Sequence, residues 1–424
     1  MSLLSRRDML ALLTLSWASG FSTSGHAHAP MNSGLAWGAT RQGLLHALGM
    51  NPDLFPKIAE RSLDGASILS TIDLATGQSR QTLLPMAGGH ATESLGNGNV
   101  LCIAHHKPKS LIVTADHSIL AELIADPGHV FGGHAWIDLE RQIFLLPQKR
   151  AKAERLTDTG SIVVYDTRTF HKLDQVDTGG IHPHEIHTIP GTGEIAVTHY
   201  GDVTARHAVL AHHVVDPKLT ILDGRTFRPK RHYQQSDFNA MVTHMRVGPD
   251  GWAHVVLTQY VSWPLAKAED SFQTALRNLE STIGRKTDFA FPQASLDERL
   301  LPLPLPVLAI NTQTGERRIV NAGDRYHLRS QSVAHSAATG LTVAVYSHSD
   351  NLILERNGRL AGIVSAAELG LRNLRGVAEV SGSPCIAVMG AYRGAVIYDL
   401  DARSVVARYE TENFLDTHLQ YAGT

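Results

Sequence analysis

The sequence predicts an all-β chain folded as a seven-bladed β-propeller of the WD40 or YVTN type. Three observations predict it. First, seven segments line up at the start of successive β-rich units: GGHATES, FGGHAWID, IHPHEIH, VTHMRVG, RSQSVAH, LRGVAEV and LDTHLQY. Second, each opens a short apolar run followed by a turn and a second β-rich run, and units of about 40–50 residues with four strands each are the repeat of a propeller blade. Third, one column of the alignment is rich in histidine: His90, His134, His184, His244, Gln331, Arg375 and His418. With 24 histidines in 424 residues, chance places about 0.4 in seven such slots, and five are found. In a propeller the first strand of every blade lines the central channel, so equivalent positions on it form one ring.

The elements follow in order. Leu35–Thr40 and Ser67–Leu74 read as strands of the first unit, with Ala75-Thr76-Gly77 as a turn. The second unit runs from His90 through VLCIAHH and SLIVTADH to ILAELIA, and the third from His134 through IFLLPQ and SIVVYDTRT to Val176. EIAVTHY and LTILDGRT belong to the fourth unit, AHVVLTQY and VLAINTQTGE to the fifth. LTVAVYSH and LILERNGR belong to the sixth, CIAVMGAY and AVIYDLDAR to the seventh. The phrases IDLATGQ, YDTRT, LDGRT, INTQTGE and YDLDAR recur between third and fourth strands, where Asp, Asn, Gly and Thr suit tight turns. The first unit lacks an inner strand at the N-terminus, and the C-terminal THLQYA supplies it. Pairing the last strand with the first blade closes the ring and removes two open sheet edges.

Long insertions lie between second and third strands, at Lys149–Gly160, Gly201–Pro217 and Ser262–Pro306. Such connections emerge on the face where the first strands begin, so the three loops rise around the histidine ring. The third is expected to be helical at Ala266–Leu279 and to end in the extended run LPLPLP. Loops of this length in a compact domain are usually functional or disordered, and their shared face favours function.

Composition narrows the function classes. A net charge of −2 gives no electrostatic case for nucleic acid or an anionic membrane. Cys102 and Cys385 sit in separate apolar strand runs and read as buried free thiols. Residues 1–29 read as a targeting segment. Ser5-Arg6-Arg7-Asp8-Met9-Leu10 resembles the twin-arginine signal, Met9–Ala18 is a short apolar region, and Ala27-His28-Ala29 is an A-x-A cleavage site. A Sec signal that happens to contain Arg-Arg is the alternative. No other segment has the run of about 18 apolar residues that a span requires. The expectation is a periplasmic, monomeric domain over residues 30–424, exported by the twin-arginine pathway.

The chemistry concentrates on the ring face. Second strands end there too, at His105-His106, Gln148, His199, Gln259 and His348, and His182, His187 and His327 lie nearby. Glu185 alternates with His184 and His187, which points it into the sheet. A carboxylate-poor set of neutral imidazoles suits Cu, Fe, Zn and Ni and argues against Ca and Mg. The candidate metal ligands are His90, His134, His184, His244, His418, His105, His199 and His348. Gln331, Arg375, His187 and His327 are candidates for holding a bound ligand, since Arg375 suits an anion beside the metal. Three or four ligands at about 2.0–2.2 Å are the limit for one ion. Binding is expected to weaken as pH falls through the imidazole range near 6.5. Two other readings stay open: histidines that only hydrogen-bond backbone at the channel mouth, as the structural histidine of WD-type repeats does, and an organic-anion site using imidazolium with Arg375 and Arg329. His212-His213 read as surface or a lid. No G-x-S-x-G elbow, C-x-x-C-H haem attachment, Walker loop or H-E-x-x-H motif is present.

Several stretches in order resemble a family of exported propellers catalogued as domain of unknown function 1513. They are FGGHAWID (Phe131–Asp138), GSIVVYD (Gly160–Asp166), GIHPHEI (Gly180–Ile186), the His244–Tyr260 run, RYHLRSQSVA (Arg325–Ala334) and LDTHL (Leu415–Leu419). The chain departs from the family pattern at Thr198-His199-Tyr200-Gly201, where a T-H-P stretch is usual, and at YSHSD (Tyr346–Asp350). The family has no established activity. Its members tend to be encoded near periplasmic iron-uptake proteins, so the resemblance implies iron among the metals and metal-uptake proteins as partners. The histidine ring is also similar to the crown that the nitrous oxide reductase propeller presents to copper, an analogy of fold that carries no reaction. The function expected is a transition-metal or metal-complex pocket for iron or copper handling. The alternatives are an oxidoreductase or lyase at the same pocket, or an interaction scaffold with structural histidines.

Overall fold

The structure, a computed structural model, describes residues 43–49, 66–204, 210, 212–262, 268–283, 286, 300–320, 330–346, 350–357, 359–390, 394–410 and 418–422. Seven antiparallel sheets follow one another along the chain, each built mainly of strands adjacent in sequence. The second blade shows the pattern: Gly89–Gly96 inside, then Asn99–Ala104, Lys109–Val113 and Ile119–Ile124 outward. The inner strands of the fourth to seventh blades are Pro183–Ile189, Met241–Val247, Ser330–Ser336 and Leu374–Glu379.

Burial follows from this stacking. A second strand is covered on both faces by neighbouring blades, so it tolerates a continuous apolar run: Leu341–Tyr346 and Cys385–Gly390 are buried at every position. The outermost strands face water, and Lys172–Asp177 is exposed at five of six positions. Each fully buried Leu, Ile or Val contributes about 1.5–3 kcal/mol to the packing between blades. Cys102 and Cys385 are buried in these layers as free thiols.

The recurring Asp/Asn phrases are side-chain-capped turns. Asp73, Asp166, Asp223, Asn311 and Asp399 each accept hydrogen bonds from the backbone N–H groups two and three residues on, at 2.7–3.1 Å. The side chain replaces the backbone acceptor that a tight turn cannot supply.

Ring closure is as expected. Leu419–Ala422 pairs with Leu44–Gly49, and the first blade reads Leu419–Ala422, Leu44–Gly49, Ser67–Asp73, Ser79–Leu84 from the channel outward. The Gln420 amide also donates to Glu93 of the next blade at 2.7 Å. The strand expected at 35–40 lies outside the described residues, and the strand beside the closing one is Leu44–Gly49. The third insertion carries a helix at Ala268–Ile283, shifted by a few residues from the expected span, and a short hairpin, Tyr260–Ser262 with Leu300–Pro302. The second insertion forms a hairpin of Asp202–Val203 with His213–Val214. Lys149, expected to open the first insertion, is instead in the strand Ile143–Arg150, paired with Val130. No helix among the described residues is long and apolar enough to cross a membrane.

One irregularity recurs and positions the site. The register of the inner strand slips at Gly89/Ala91, Pro183/Ile186, Val242/Met245, Ser330/Ser332 and Leu374/Gly376. The residues left out of the ladder include His90, His184, His244, Gln331 and Arg375. In the third blade the inner strand is broken between His129–Phe131 and Trp136–Asp138, and His134 lies in the gap. His418 directly precedes the closing strand. A β-bulge frees one residue from pairing and re-aims its side chain. Five of the seven aligned positions are therefore bulge positions, and at His90, His184 and His244 the bulge frees the side chain to meet neighbouring histidine rings.

Candidate metal centre

The five ring histidines converge. Ring centroids lie 4.3 Å apart for His134–His418, 4.5 Å for His90–His418, 4.7 Å for His244–His418, 4.8 Å for His134–His184 and 4.9 Å for His184–His244. Possible ligand nitrogens of His134, His184 and His244 all lie within 4.8 Å of one another, and the same holds for His90, His134 and His418. Glycine makes room for this crowding. Gly133 has φ +113, and a β-carbon there would sit 2.7 Å from Cδ2 of His90 and 2.9 Å from Cε1 of His184.

The surroundings set which nitrogen carries the lone pair. His184 donates from Nδ1 to the Gly132 carbonyl, so its Nε2 holds the lone pair and accepts from the Tyr200 hydroxyl at 3.1 Å. His244 donates from Nδ1 to Glu185 at 3.2 Å, which leaves its Nε2 as the acceptor. A carboxylate accepts only, so this assignment follows from the partner. Oriented imidazoles of this kind, backed by a carboxylate or a carbonyl, are the arrangement that metal-ligating histidines use. His134 and His418 carry buried Nε2 atoms with no hydrogen-bond partner among the described residues.

Glu185 is not simply turned into the sheet. The bulge between Pro183 and Ile186 breaks the alternation, and its buried carboxylate accepts from His244, from the Met245 N–H at 2.9 Å and from His187 Nε2 at 2.7 Å. Against the upward push of burial, His134, His187 and these hydrogen bonds hold it well below the usual carboxylate range. Burial, reinforced by neighbouring imidazoles, holds His90, His184 and His418 well below the usual imidazole value. Burial also brings His134 down to about 3, against the pull of Glu185. His90, His134, His184 and His418 are thus neutral imidazoles whose protonation lies below the range near 6.5 expected for exposed histidine.

The remaining candidates divide. His105 joins the crown: its ring is 4.6 Å from His90 and 4.7 Å from His184, and its buried Nε2 has no partner among the described residues. His199 does not. Its Nε2 pairs with the Thr178 hydroxyl at 2.9 Å and its Nδ1 with Thr220 at 3.3 Å, so both nitrogens are used inside the fourth blade and the expected ligand role is withdrawn. His187 is engaged at both nitrogens, by Glu185 and by Arg246 at 2.8 Å, and supports the crown through Glu185. Arg375 is half-buried at its bulge. His348, His327 and the Gln331 side chain lie outside the described residues. Gln148 and Gln259 are buried; Gln148 accepts from the Asp126 N–H, and Gln259 donates to the His212 and Asn239 carbonyls.

A second cluster adjoins the first. His105, His106 and His182 also place ligand atoms within 4.8 Å of one another. Asp202 accepts from Nδ1 of His182 at 2.6 Å, and His212 binds its other oxygen at 3.1 Å. Lys149 Nζ lies against Nδ1 of His106 and 3.1 Å from Nδ1 of His182; burial brings its ammonium down to about 7. Lys149, Asp202 and Tyr200 carried no signal in the sequence, because none sits in the repeated column.

Fold and site together define a seven-bladed β-propeller with a buried crown of histidines that can hold a metal ion. Residues 86–268 match the family model described as "Protein of unknown function (DUF1513)". No curated protein matches the chain. Among solved structures, hydrazine synthase of Kuenenia stuttgartiensis is similar, with a TM-score of 0.51 and 9% identity over 83% of this chain and 94% of that one. The WD40 repeats of RRP9 give 0.49 and 7% over 77% and 81%. At such identity the likeness to hydrazine synthase is one of fold alone.

Proposed function

We propose that this protein binds a transition-metal ion or metal complex at the crown and serves in periplasmic iron or copper handling. The observation that carries the reading is the His134–His184–His244 tripod: three buried imidazoles with ligand atoms within 4.8 Å, two of them tautomerically set by Gly132 and Glu185. Neutral imidazole without a directly offered carboxylate selects Cu, Fe, Zn or Ni over Ca and Mg. His90 and His418 sit against the same tripod and supply further ligands or a second ion position. Export by the twin-arginine signal fits a protein that acquires its metal before crossing the membrane.

The test is metal content and affinity. Protein exported by its own signal is expected to carry close to stoichiometric Fe or Cu by elemental analysis. The His134→Ala/His184→Ala variant is expected to lose tight binding at the crown while keeping a cooperative unfolding transition. Parental crown affinity in that variant, or a parent that binds no metal under any export condition, would remove the reading and leave the histidines a structural role.

A further inference from the structure

We propose that His105, His106 and His182 form a second, outer metal site, which takes a borderline divalent cation such as Cu2+ from the adjoining pocket and passes it inward through His105. Only the destination of the ion rests on the crown reading; the outer site stands on its own residues.

The backbone is bent to build it. His105 and His106 follow the strand Asn99–Ala104, and the chain turns there so that their rings lie 3.7 Å apart. His106 achieves this with φ 59, in the left-handed region that a β-carbon disfavours. His182, facing it at 5.1 Å between ring centroids, has φ 57. Two left-handed histidines meeting across a blade boundary are the kind of local strain that collects at functional sites. The Asp202 carboxylate fixes the tautomer of His182, so its Nε2 holds the lone pair. That atom and Nε2 of His105 are buried and have no hydrogen-bond partner among the described residues. Carboxylate, imidazole and vacant nitrogen in sequence is the second-shell pattern of a metal ligand.

The site also has an entrance. A cavity of about 170 Å³ is lined by His106, Lys149, His182, Asp202, Val203 and Thr204. His106 and His182 line this cavity while His105 lies behind them, and three protein nitrogens leave a coordination position for water or an incoming carrier ligand, the arrangement of an exchangeable rather than a closed site. His105 belongs to the triad with His90 and His184 as well as to the outer one. A single imidazole is thus common to both groups, and an ion can move inward by exchanging ligands around it. No electron transfer is involved.

The experiment uses the mature, metal-free protein titrated with Cu2+ against a competing chelator. The parent is expected to show two binding steps. His106→Ala/His182→Ala should lose one step and keep the other, and His134→Ala/His184→Ala should do the reverse. A single parental step that disappears only in the outer variant supports this site and removes the crown. Parental binding in the outer variant overturns the proposal. Should that variant fail to fold, Asp202→Asn serves: the outer step is expected to weaken at least tenfold with the crown step unchanged, and an unchanged outer step overturns it. Stopped-flow loading with substoichiometric Cu2+ tests the relay. Crown filling should slow more than tenfold in His106→Ala/His182→Ala, and a parental rate overturns inward passage.

Discussion

Acidification of the metal-free protein should destabilise it well above the pH at which exposed carboxylates titrate. His46, His134 and His182 are buried as neutral imidazoles, with burial bringing them from 6.5 down to about 4, 3 and 4. Their folded-state values are depressed, so between pH 6.5 and 4 the unfolded chain binds protons that the folded chain refuses. Stability is therefore intact above the unfolded value and lost as pH falls towards the folded one. At pH 5 each such group costs about 2 kcal/mol relative to neutral pH; three cost about 6 kcal/mol, from which Glu93, pushed up to about 8 by burial, gives back about 2 kcal/mol as it takes its proton in the fold, leaving a loss comparable with the 5–15 kcal/mol that holds a typical domain. His90, His105, His184, His199 and His418 are shifted the same way and steepen the dependence. Urea unfolding in EDTA at pH 7, 6 and 5 measures it. At pH 6, saturating Cu2+ should recover stability, by about 2.7 kcal/mol at a free concentration of 100 Kd. Equal midpoints at pH 7 and pH 5 would show that the imidazoles are hydrated or charged in the fold, and the reasoning from burial would fail.

Three further outcomes follow from particular residues. Gly133→Ala is expected to cost about 1–3 kcal/mol, because its β-carbon meets His90 at 2.7 Å, and to lower crown stoichiometry; parental melting and metal content would contradict the crowding. Deleting Asn413 to Thr424 removes the strand paired with Leu44–Gly49 and should leave no cooperative thermal transition; a truncated chain that melts like the parent refutes closure as a source of stability. Replacing Arg6 and Arg7 with Lys should leave precursor in the cytoplasm by fractionation and immunoblot, and unchanged delivery to the periplasm would mean a Sec signal.

The blades and the histidine column were legible because both are periodic. Second strands must be apolar throughout, and the third-to-fourth turns need an Asx acceptor, so IDLATGQ and YDTRT declare themselves. The convergence of His90, His134, His184, His244 and His418 was legible for the same reason. The bulges that produce it were not. A bulge is one extra residue in a ladder with no residue type of its own, and at Pro183/Ile186 it defeats the period-two argument that pointed Glu185 into the sheet. His199 shows the opposite failure. It ends a second strand as His105 does, but Thr178 and Thr220 stand opposite it and satisfy both nitrogens. Nothing in the sequence of the fourth blade marks that pairing. Lys149 was hidden by a strand end: Ile143–Arg150 runs on to pair with Val130, where the composition reads as loop. Leu44–Gly49 (LLHALG) and Leu35–Thr40 (LAWGAT) each carry four apolar residues in six, so composition did not separate them.

The cost of the crown argues for a ligand. A buried polar atom left without a partner costs about 1–3 kcal/mol, and His105, His134, His182 and His418 each carry such an Nε2 among the described residues. Serine or threonine hydroxyls could have satisfied them, as Thr178 satisfies His199 and the Thr71 hydroxyl satisfies His46 at 2.9 Å and His117 at 2.8 Å. The fold thus contains both solutions. His46, His117 and His199 are paired with threonine, whereas His184, His244 and His182 are turned towards other histidines with their Nδ1 atoms held by Gly132, Glu185 and Asp202. Neutral imidazoles with aligned lone pairs repel one another unless an electrophile sits between them. A cation at the crown converts that repulsion into coordination, which ties the stability of the channel mouth to the occupancy of the site.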